Sequence, residues 1–164
     1  MTQLGPDDVA YGNLKQYNVI ITGIRAFEVH KDLVTSFPRL DEYVKDGGYL
    51  LVQYSRPGGL AMPWAPYPVD MGEGPRVSVE EAPVEMLVPG HPLFNTPNKI
   101  TDQDFAGWVQ ERGTYFMEKW DAKFTPLLSS HDPGEPPQQG GMLVAQYGKG
   151  LYAYTGYVWF RQLP

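Results

Sequence analysis

The sequence predicts an α/β fold built on a mixed, mostly parallel sheet that is flanked by helices and ends in a β-hairpin. Tyr17–Gly23 and Tyr49–Tyr54 are short apolar runs, typical of buried parallel strands. A helical segment, Phe37–Asp46, lies between them, and this order predicts a right-handed βαβ crossover. Met142–Tyr147 and Leu151–Gly156 flank a Gly-Lys-Gly turn, which predicts the hairpin.

The helix between the two strands has a start signal, an apolar face and a stop signal. Pro38 suits the first turn, because a helix leaves the first N–H groups without partners. Leu40, Tyr43 and Val44 share one face, which we expect to pack on the sheet. Gly47-Gly48 then ends the helix.

The middle of the chain contains many glycines and prolines, and we expect short elements and shaped loops there. Ser55–Arg76 is predicted to be one long loop, and loops of this length usually have a function. No repeat or linker interrupts the sequence, so residues 1–164 are predicted to form a single domain. The remaining predicted elements are a strand Val84–Val88, a capped short helix Thr101–Phe105, extended pieces Trp108–Gln110 and Thr114–Phe116, a strand Phe124–Ser130 and a loop His131–Pro137.

Composition excludes several classes of partner. The net charge of −6 argues against nucleic acid and against anionic membrane surfaces, because both attract basic proteins. The sequence has no apolar run near the roughly 20 residues that span a bilayer. We therefore expect a soluble protein that binds neither nucleic acid nor membrane.

Several catalytic chemistries lack the residues that they require. The chain contains no cysteine, which removes thiol nucleophiles, disulfides and thiolate metal sites. His30, His91 and His131 are scattered, without the spacing of a zinc site. His131 and Asp132 form the one adjacent His–carboxylate pair, which is more often a polar loop than a catalytic site. We expect no metal and no cofactor.

Seven segments resemble a known family across nearly the whole chain. They resemble the C-terminal domain of bacterial PIG-L/LmbE-type deacetylases, which is itself similar to ThuA-like proteins and to class I glutamine amidotransferases. The resemblance implies a flavodoxin-like sheet and a bacterial protein of the cytoplasm or periplasm. The segments are Tyr17–Phe27, Tyr43–Tyr54, Ala65–Pro68, Asn98–Thr101, Asp104–Gly113 (DFAGWVQERG), Asp132–Glu135 and Tyr147–Gly156 (YGKGLYAYTG).

The chain departs from the catalytic members of this family. The nucleophilic cysteine of amidotransferases would follow Gln53-Tyr54, and Gly156–Trp159 stands where their histidine would be. The metal motif of the deacetylases is absent too, since Asp7-Asp8 has no preceding histidine. The resemblance therefore implies a noncatalytic accessory or carbohydrate-binding domain, whose partner is the deacetylase domain of a larger parent protein.

The family's fold also has an apolar strand and a helix before the segment that matches Leu4-Gly5, and a further helix after the segment that matches Phe160–Pro164. The resemblance thus implies that this chain is truncated at both ends. We expect either direct pairing of Tyr17–Gly23 with Tyr49–Tyr54, or a homo-oligomer that covers the gap.

Open α/β sheets bind ligands at the carboxyl ends of their parallel strands. We expect a sugar or another small molecule there, although buried aromatic side chains are more often packing residues. Arg25 also has two interpretations, a ligand contact or a structural ion pair with Glu28 or with a carboxylate on the Trp108 segment. The candidate ligand-binding residues are Arg25, Gln53, Tyr54, Trp64, Tyr67, Trp108, Arg112, His131 and Asp132, with Gly23, Arg56, Trp159 and Arg161 as further contributors.

Two other functions remain open. The first is a ThuA-like hydrolase or isomerase, which needs two acid–base side chains in one pocket. The second is a module that serves assembly alone. The acid–base candidates for the enzyme are Glu28, Asp104, Glu111, His131 and Asp132.

Overall fold

The computed structural model of the protein describes residues 1–56 and 64–162. Its helices are α1 (Pro6–Tyr11), α2 (Ala26–Val29) and α3 (Lys31–Lys45), and short 3₁₀ helices cover Leu14–Gln16, Pro92–Phe94, Asp102–Phe105 and Trp159–Arg161. Its strands are β1 (Val19–Thr22), β2 (Tyr49–Gln53), β3 (Val69–Asp70), β4 (Val84–Met86), β5 (Lys119–Trp120), β6 (Thr125–Pro126), β7 (Leu128–Ser130), β8 (Met142–Tyr147) and β9 (Gly150–Thr155). Among the described residues, no helix has the length and apolar composition needed to cross a bilayer.

A mixed sheet of five strands forms the centre of the molecule, in the order β1-β2-β9-β8-β6. β1 pairs with β2 and β2 with β9, both in parallel, whereas β8 is antiparallel to β9 and β6 is antiparallel to β8. The α/β class, the βαβ unit and the C-terminal hairpin are thus confirmed. The expected direct pairing of the first two strands is also present, with Val19 opposite Tyr49.

The hairpin contacts the end of α3 through backbone atoms. The N–H of Lys149 donates to the carbonyl of Lys45, and the N–H of Leu151 donates to the carbonyl of Gly48. A Cβ on Gly150 would lie 2.2 Å from the carbonyl oxygens of Gly48 and Val44. Gly150 is therefore required by close packing between the hairpin and the helix.

Helix α3 is longer than predicted, because it begins at Lys31 and not at Phe37. The prediction placed Pro38 in the first turn, but this proline lies inside the helix. A proline there removes the hydrogen bond to the carbonyl of Val34. Pro38 and Val34 are both exposed, so the carbonyl that lacks a helix hydrogen bond lies on the solvent side of the helix and is open to water.

Two other predictions were wrong. Phe124–Ser130 forms two strands and not one, because Pro126 ends β6 at the sheet edge and Leu128 begins the separate pairing of β7 with β4. The pieces Trp108–Gln110 and Thr114–Phe116 form no strand, since Gln110 and Tyr115 have positive φ. Between the two pieces, Gly113 makes isolated bridges to Val77 and Tyr157.

The predicted loop Ser55–Arg76 is described only in part, because residues 57–63 lie outside the described residues. Its later portion contains β3, which pairs with β5. The predicted cap of the short helix after Ile100 is confirmed, since the N–H of Thr101 donates to the Asp104 carboxylate at 2.7 Å.

Strand β1 forms one edge of the sheet. Its alternate side chains are uncovered on one face, where Val19 is 51% exposed and Ile21 is 52% exposed. A groove of about 980 Å³ runs beside β1, between the N-terminal segment 1–6 and the start of α3. The described chain thus leaves both this backbone edge and part of this apolar face open.

Candidate functional site

The carboxyl ends of β1, β2 and β9 lie together at one edge of the sheet, because the three strands are parallel neighbours. Tyr54 follows β2 and is central to this edge. Its carbonyl accepts a hydrogen bond from the N–H of Arg25 at 2.7 Å. Its ring packs against Tyr115, with 5.4 Å between the centroids, and against Phe160 at 6.1 Å. Tyr54 therefore lies between two groups of charged side chains, one centred on Glu28 and the other on Glu111.

The first group is centred on Glu28. Its carboxylate accepts from Arg25 Nε at 2.9 Å and from the backbone N–H of Arg56, whose own Nε lies 3.9 Å away. Arg25 has φ of 57°, a left-handed conformation that is uncommon for a residue with a side chain. The predicted ion pair between Arg25 and Glu28 is present, and more than a third of the Arg25 side chain is still exposed.

The second group is centred on Glu111, which is only 9% exposed. Its Oε2 accepts from Arg76 Nη2 at 3.2 Å, and its Oε1 lies 3.9 Å from Arg161 Nη2. Arg161 belongs to the 3₁₀ helix that follows β9, so the sheet itself brings it to this edge. A buried carboxylate between two guanidinium groups results, and both guanidinium groups retain exposed surface.

The segment that carries Glu111 is held at the end of β9 by backbone contacts. Gly113 bridges to Val77 on one side and to Tyr157 on the other. Gln110 and Tyr115 both have positive φ, at 75° and 57°. With Arg25, they are the non-glycine residues with positive φ in the described chain, and such strained residues cluster at functional sites.

The electrostatic character of this edge is basic, although the whole chain is acidic. Four guanidinium groups contact two carboxylates in the two groups together, and the charge of Arg76 also acts on the nearby Asp132 carboxylate. Burial raises the pKa of Tyr54, and the charge of Arg161 partly offsets this effect. Tyr54 thus stays a neutral hydroxyl, able to donate or accept a hydrogen bond.

Three of the predicted site residues stabilise the fold near this edge. The indole Nε1 of Trp108 donates to the carbonyl of Asp104 at 2.7 Å, and its ring packs edge-on against Trp159. Arg112 is buried and donates to the carbonyls of Ala82 and Phe105. Gln53 Nε2 donates to the carbonyl of Thr22 at 3.2 Å.

The two aromatic residues of the long loop are separated. Trp64 stacks on Phe27 of α2, with centroids 4.9 Å apart and planes 5° apart, and so lies near the helix that begins after Arg25. Tyr67 donates to the carbonyl of Gln146 at 3.1 Å, near the hairpin turn. The hairpin turn is at the amino end of β9, so Tyr67 does not join the strand-end site.

The pair His131-Asp132 lies outside the site. The two Asp132 oxygens accept from the backbone N–H groups of Ser78 at 2.9 Å and Val79 at 2.8 Å. His131 Nδ1 lies 3.0 Å from the carbonyl of Asp132. Asp132 therefore anchors a loop, and the structure does not place it with Arg25 or Tyr54.

The prediction omitted two residues that the structure brings to the site, Arg76 and Tyr115. Arg76 is at the end of a long loop, and no local sequence pattern around it predicts its contact with Glu111, which lies 35 residues later. The left-handed backbone of Tyr115 has no signature in its sequence either. Glu111 could have been found, because it is the acidic residue of a distinctive Gln-Glu-Arg-Gly motif. The prediction named it only as an acid–base candidate and not as a ligand-binding residue.

The residue that follows Tyr54 is a serine, in the turn where the resemblance would place a catalytic cysteine. Ser55 is fully buried, and its hydroxyl has no hydrogen-bond partner among the described residues. A serine nucleophile needs a base within hydrogen-bonding distance, and the described residues place none at the Ser55 hydroxyl.

Within residues 1–56 and 64–162, no three His, Cys, Asp or Glu side chains form a group that could hold a metal ion.

No protein-family model matches the chain, and no curated protein sequence matches it. Solved structures do resemble it. A cytoplasmic protein from Salmonella typhimurium matches at 20% identity with a TM-score of 0.55, covering 94% of this chain and 64% of that one. A catalytic mutant of a GH42 β-galactosidase from G. stearothermophilus matches at 16% identity with a TM-score of 0.56, covering 93% of this chain. This chain spans about two thirds of the first protein and 21% of the second, and the likeness establishes a shared fold.

Proposed function

We propose that this chain is a noncatalytic carbohydrate-binding domain whose ligand sits at the carboxyl edge of β1, β2 and β9. The observation that supports it is the buried Glu111 carboxylate between Arg76 and Arg161, next to Tyr54. A carboxylate and guanidinium groups in fixed positions suit the hydroxyl groups of a sugar, which both donate and accept hydrogen bonds.

The aromatic rings at this edge suit the other property of a sugar, its apolar C–H faces. Tyr54 and Tyr115 form a tilted pair, and Tyr115 is partly exposed. Its strained backbone is stabilised by a hydrogen bond from the buried Tyr154 hydroxyl to its carbonyl. A ring held in this way makes a rigid platform, which reduces the entropy lost when a ligand binds.

The rival function, a ThuA-like hydrolase or isomerase, has less support. It needs two acid–base groups in one pocket, yet most of the candidate carboxylates have structural partners. Asp104 caps a 3₁₀ helix, Asp132 anchors Ser78 and Val79, and Glu28 binds Arg25 and the N–H of Arg56. Glu111 remains as a single carboxylate, and two arginines hold it.

We further propose that the domain is flavodoxin-like, and that it accompanies a PIG-L/LmbE-type deacetylase domain in a larger protein. The five-stranded mixed sheet is compatible with a flavodoxin-like arrangement. The chain spans only part of the solved proteins with this fold, and one of these is a GH42 β-galactosidase. The parent's substrate would then be an N-acetylated sugar, with this domain binding and not converting it.

Saturation-transfer NMR with N-acetylglucosamine tests this proposal. Wild-type protein should give a saturable signal on the sugar without releasing acetate. Glu111→Gln should remove the signal, because it removes the central charge of the site. Tyr67→Phe is the matched control, because Tyr67 lies at the opposite end of the strands. The absence of a signal for wild type, an equal signal for Glu111→Gln, or sugar conversion by purified protein would each contradict the proposal.

A further inference from the structure

Arg112 has no carboxylate within salt-bridge distance among the described residues, and Glu81 acts on its charge only at longer range. Its side chain is 95% removed from solvent, since only 5% of the residue is exposed. Nε donates to the carbonyl of Ala82 at 2.8 Å, and Nη1 donates to the carbonyl of Phe105. Arg25, Arg56, Arg76 and Arg161 all lie within 4.0 Å of a carboxylate, so Arg112 differs from them.

Burial of a guanidinium without a counter-ion costs free energy of folding, because the charge loses its hydrating water and few polar groups take the place of that water. The two carbonyl contacts use Nε and Nη1, and the structure records no protein acceptor for Nη2 among the described residues. The ring of Trp108 lies 5.4 Å from the guanidinium carbon and gives partial compensation. Burial lowers the pKa of Arg112, which agrees with an incompletely compensated charge.

A cavity of about 290 Å³ lies against this guanidinium. Its walls are mainly apolar, and Arg112 is the basic residue among them. Asp102 supplies one carboxylate, which does not reach salt-bridge distance of Arg112. The cavity is lined by Pro83, Val84, Asp102, Phe105, Ala106 and Arg112.

We propose that this cavity is a second binding site, which takes a small monocarboxylate through a charge-assisted hydrogen bond to Arg112. The N–H groups of Nη2 can donate to a carboxylate, and the apolar walls of Pro83, Val84 and Phe105 match a short hydrocarbon body. A single positive charge neutralises one negative charge. A dianion such as phosphate would keep one charge unpaired beside apolar groups and near Asp102.

This site is separate from the proposed sugar site. The side chain of Glu111 contacts Arg76 and Arg161, whereas the side chain of its neighbour Arg112 contacts Ala82 and Phe105. Binding at the Arg112 cavity therefore does not depend on the sugar proposal. Glu111→Gln should leave it intact.

Calorimetric titration with sodium propionate, at constant ionic strength set with sodium chloride, tests the inference. Wild-type protein should bind one propionate saturably and bind phosphate more weakly. Ala106→Leu should lower propionate affinity by about tenfold or more, because an exposed wall residue then fills the cavity. Arg112→Lys should lower it by a similar factor, since lysine keeps the charge and loses the planar fork.

Ala106→Leu keeps the test decisive even if Arg112→Lys fails to fold, because Ala106 makes none of the Arg112 hydrogen bonds. Loss of propionate binding in Ala106→Leu, with retention in Glu111→Gln, supports the site. A wild type that gives no saturable heat, an Ala106→Leu variant that binds as wild type does, or a wild type that prefers phosphate would overturn it.

Discussion

Glu111 accepts a hydrogen bond from Arg76 at 3.2 Å, across 35 residues of sequence. This contact ties the end of the long loop to the segment that crosses the end of β9. Arg161 approaches the other carboxylate oxygen from the C-terminal 3₁₀ helix. Three parts of the chain that are distant in sequence thus meet at the Glu111 carboxylate.

Replacing Glu111 by Gln should separate binding from stability. The change keeps the shape and removes the charge, while the Arg76 side chain is 62% exposed and remains hydrated. We therefore expect the free energy of unfolding to fall by about 1 kcal/mol or less. Sugar affinity should fall by about tenfold or more. Urea unfolding and calorimetry measure the two quantities, with the exposed Glu135→Gln as the control. A loss of several kcal/mol with unchanged affinity would make Glu111 structural.

Asp132 should make the protein sensitive to acid. Burial of Asp132 favours its neutral form, but the N–H groups of Val79 and Ser78 outweigh this effect and lower its pKa. A carboxylate with a lowered pKa stabilises the folded state above its unfolded pKa of about 4, and this stabilisation disappears as the pH falls through the folded pKa.

We therefore expect Asp132→Asn to cost about 1 kcal/mol near neutral pH, because an amide presents only one acceptor to two N–H groups. The difference from wild type should shrink in acid, where Asp132 itself is neutral. Urea unfolding across a pH series measures it. A difference that stays constant down to about pH 2 would show that ionisation of Asp132 does not contribute.

Gly150→Ala should strongly destabilise the fold. The new Cβ would meet the carbonyl oxygens of Gly48 and Val44 at 2.2 Å, so the hairpin and α3 must move apart. We expect a loss of about 2–3 kcal/mol, the upper part of the usual range for overpacking, because both contacts are with rigid backbone atoms. Gly90→Ala is the matched control, since nothing lies within 4 Å of a Cβ placed there. Equal melting temperatures for the two variants would show that the hairpin does not contact α3 closely.

The open edge at β1 should promote self-association. Ile21 is 52% exposed on β1, an edge strand whose outer side has no strand partner among the described residues, and such edges pair with other chains. Ile21→Lys should reduce the association that wild type shows as concentration rises, and should leave the melting temperature nearly unchanged. Light scattering over a concentration series measures this. Val109→Lys, at a similarly exposed position away from the edge, should associate as wild type does.

The parts of the fold that could be predicted are those with local signals. The apolar runs of β1 and β2, the Gly-Lys-Gly hairpin and the Thr-x-x-Asp cap all fall where the sequence predicts them. The start of α3 was placed too late, because Pro38 is a strong start signal and its tolerance inside the helix depends on solvent exposure. Exposure is a tertiary property that the local sequence does not carry.

The site was less predictable for a related reason. Arg25 and Tyr54 follow the first two parallel strands, and the strand-end rule identified them, whereas Arg161 entered only as a further contributor. Trp108 and Arg112 belong to the same motif as Glu111, but their partners are backbone carbonyls reached only in three dimensions. Arg76 and the strained Tyr115 depend on long-range contacts, for which one sequence contains no signal.

Amide chemical-shift mapping locates a bound ligand on the protein, so it is the sharpest test of sugar binding at the carboxyl edge of β1, β2 and β9. A titration of ¹⁵N-labelled protein with N-acetylglucosamine should move the amide signals of Tyr54, Glu111, Tyr115 and Arg161. The signals of Tyr67 and Gln146, at the opposite end of the strands, should remain in place. Saturable shifts confined to the first set are the predicted result. Shifts centred on Tyr67, or no shifts at saturating sugar, would contradict the account.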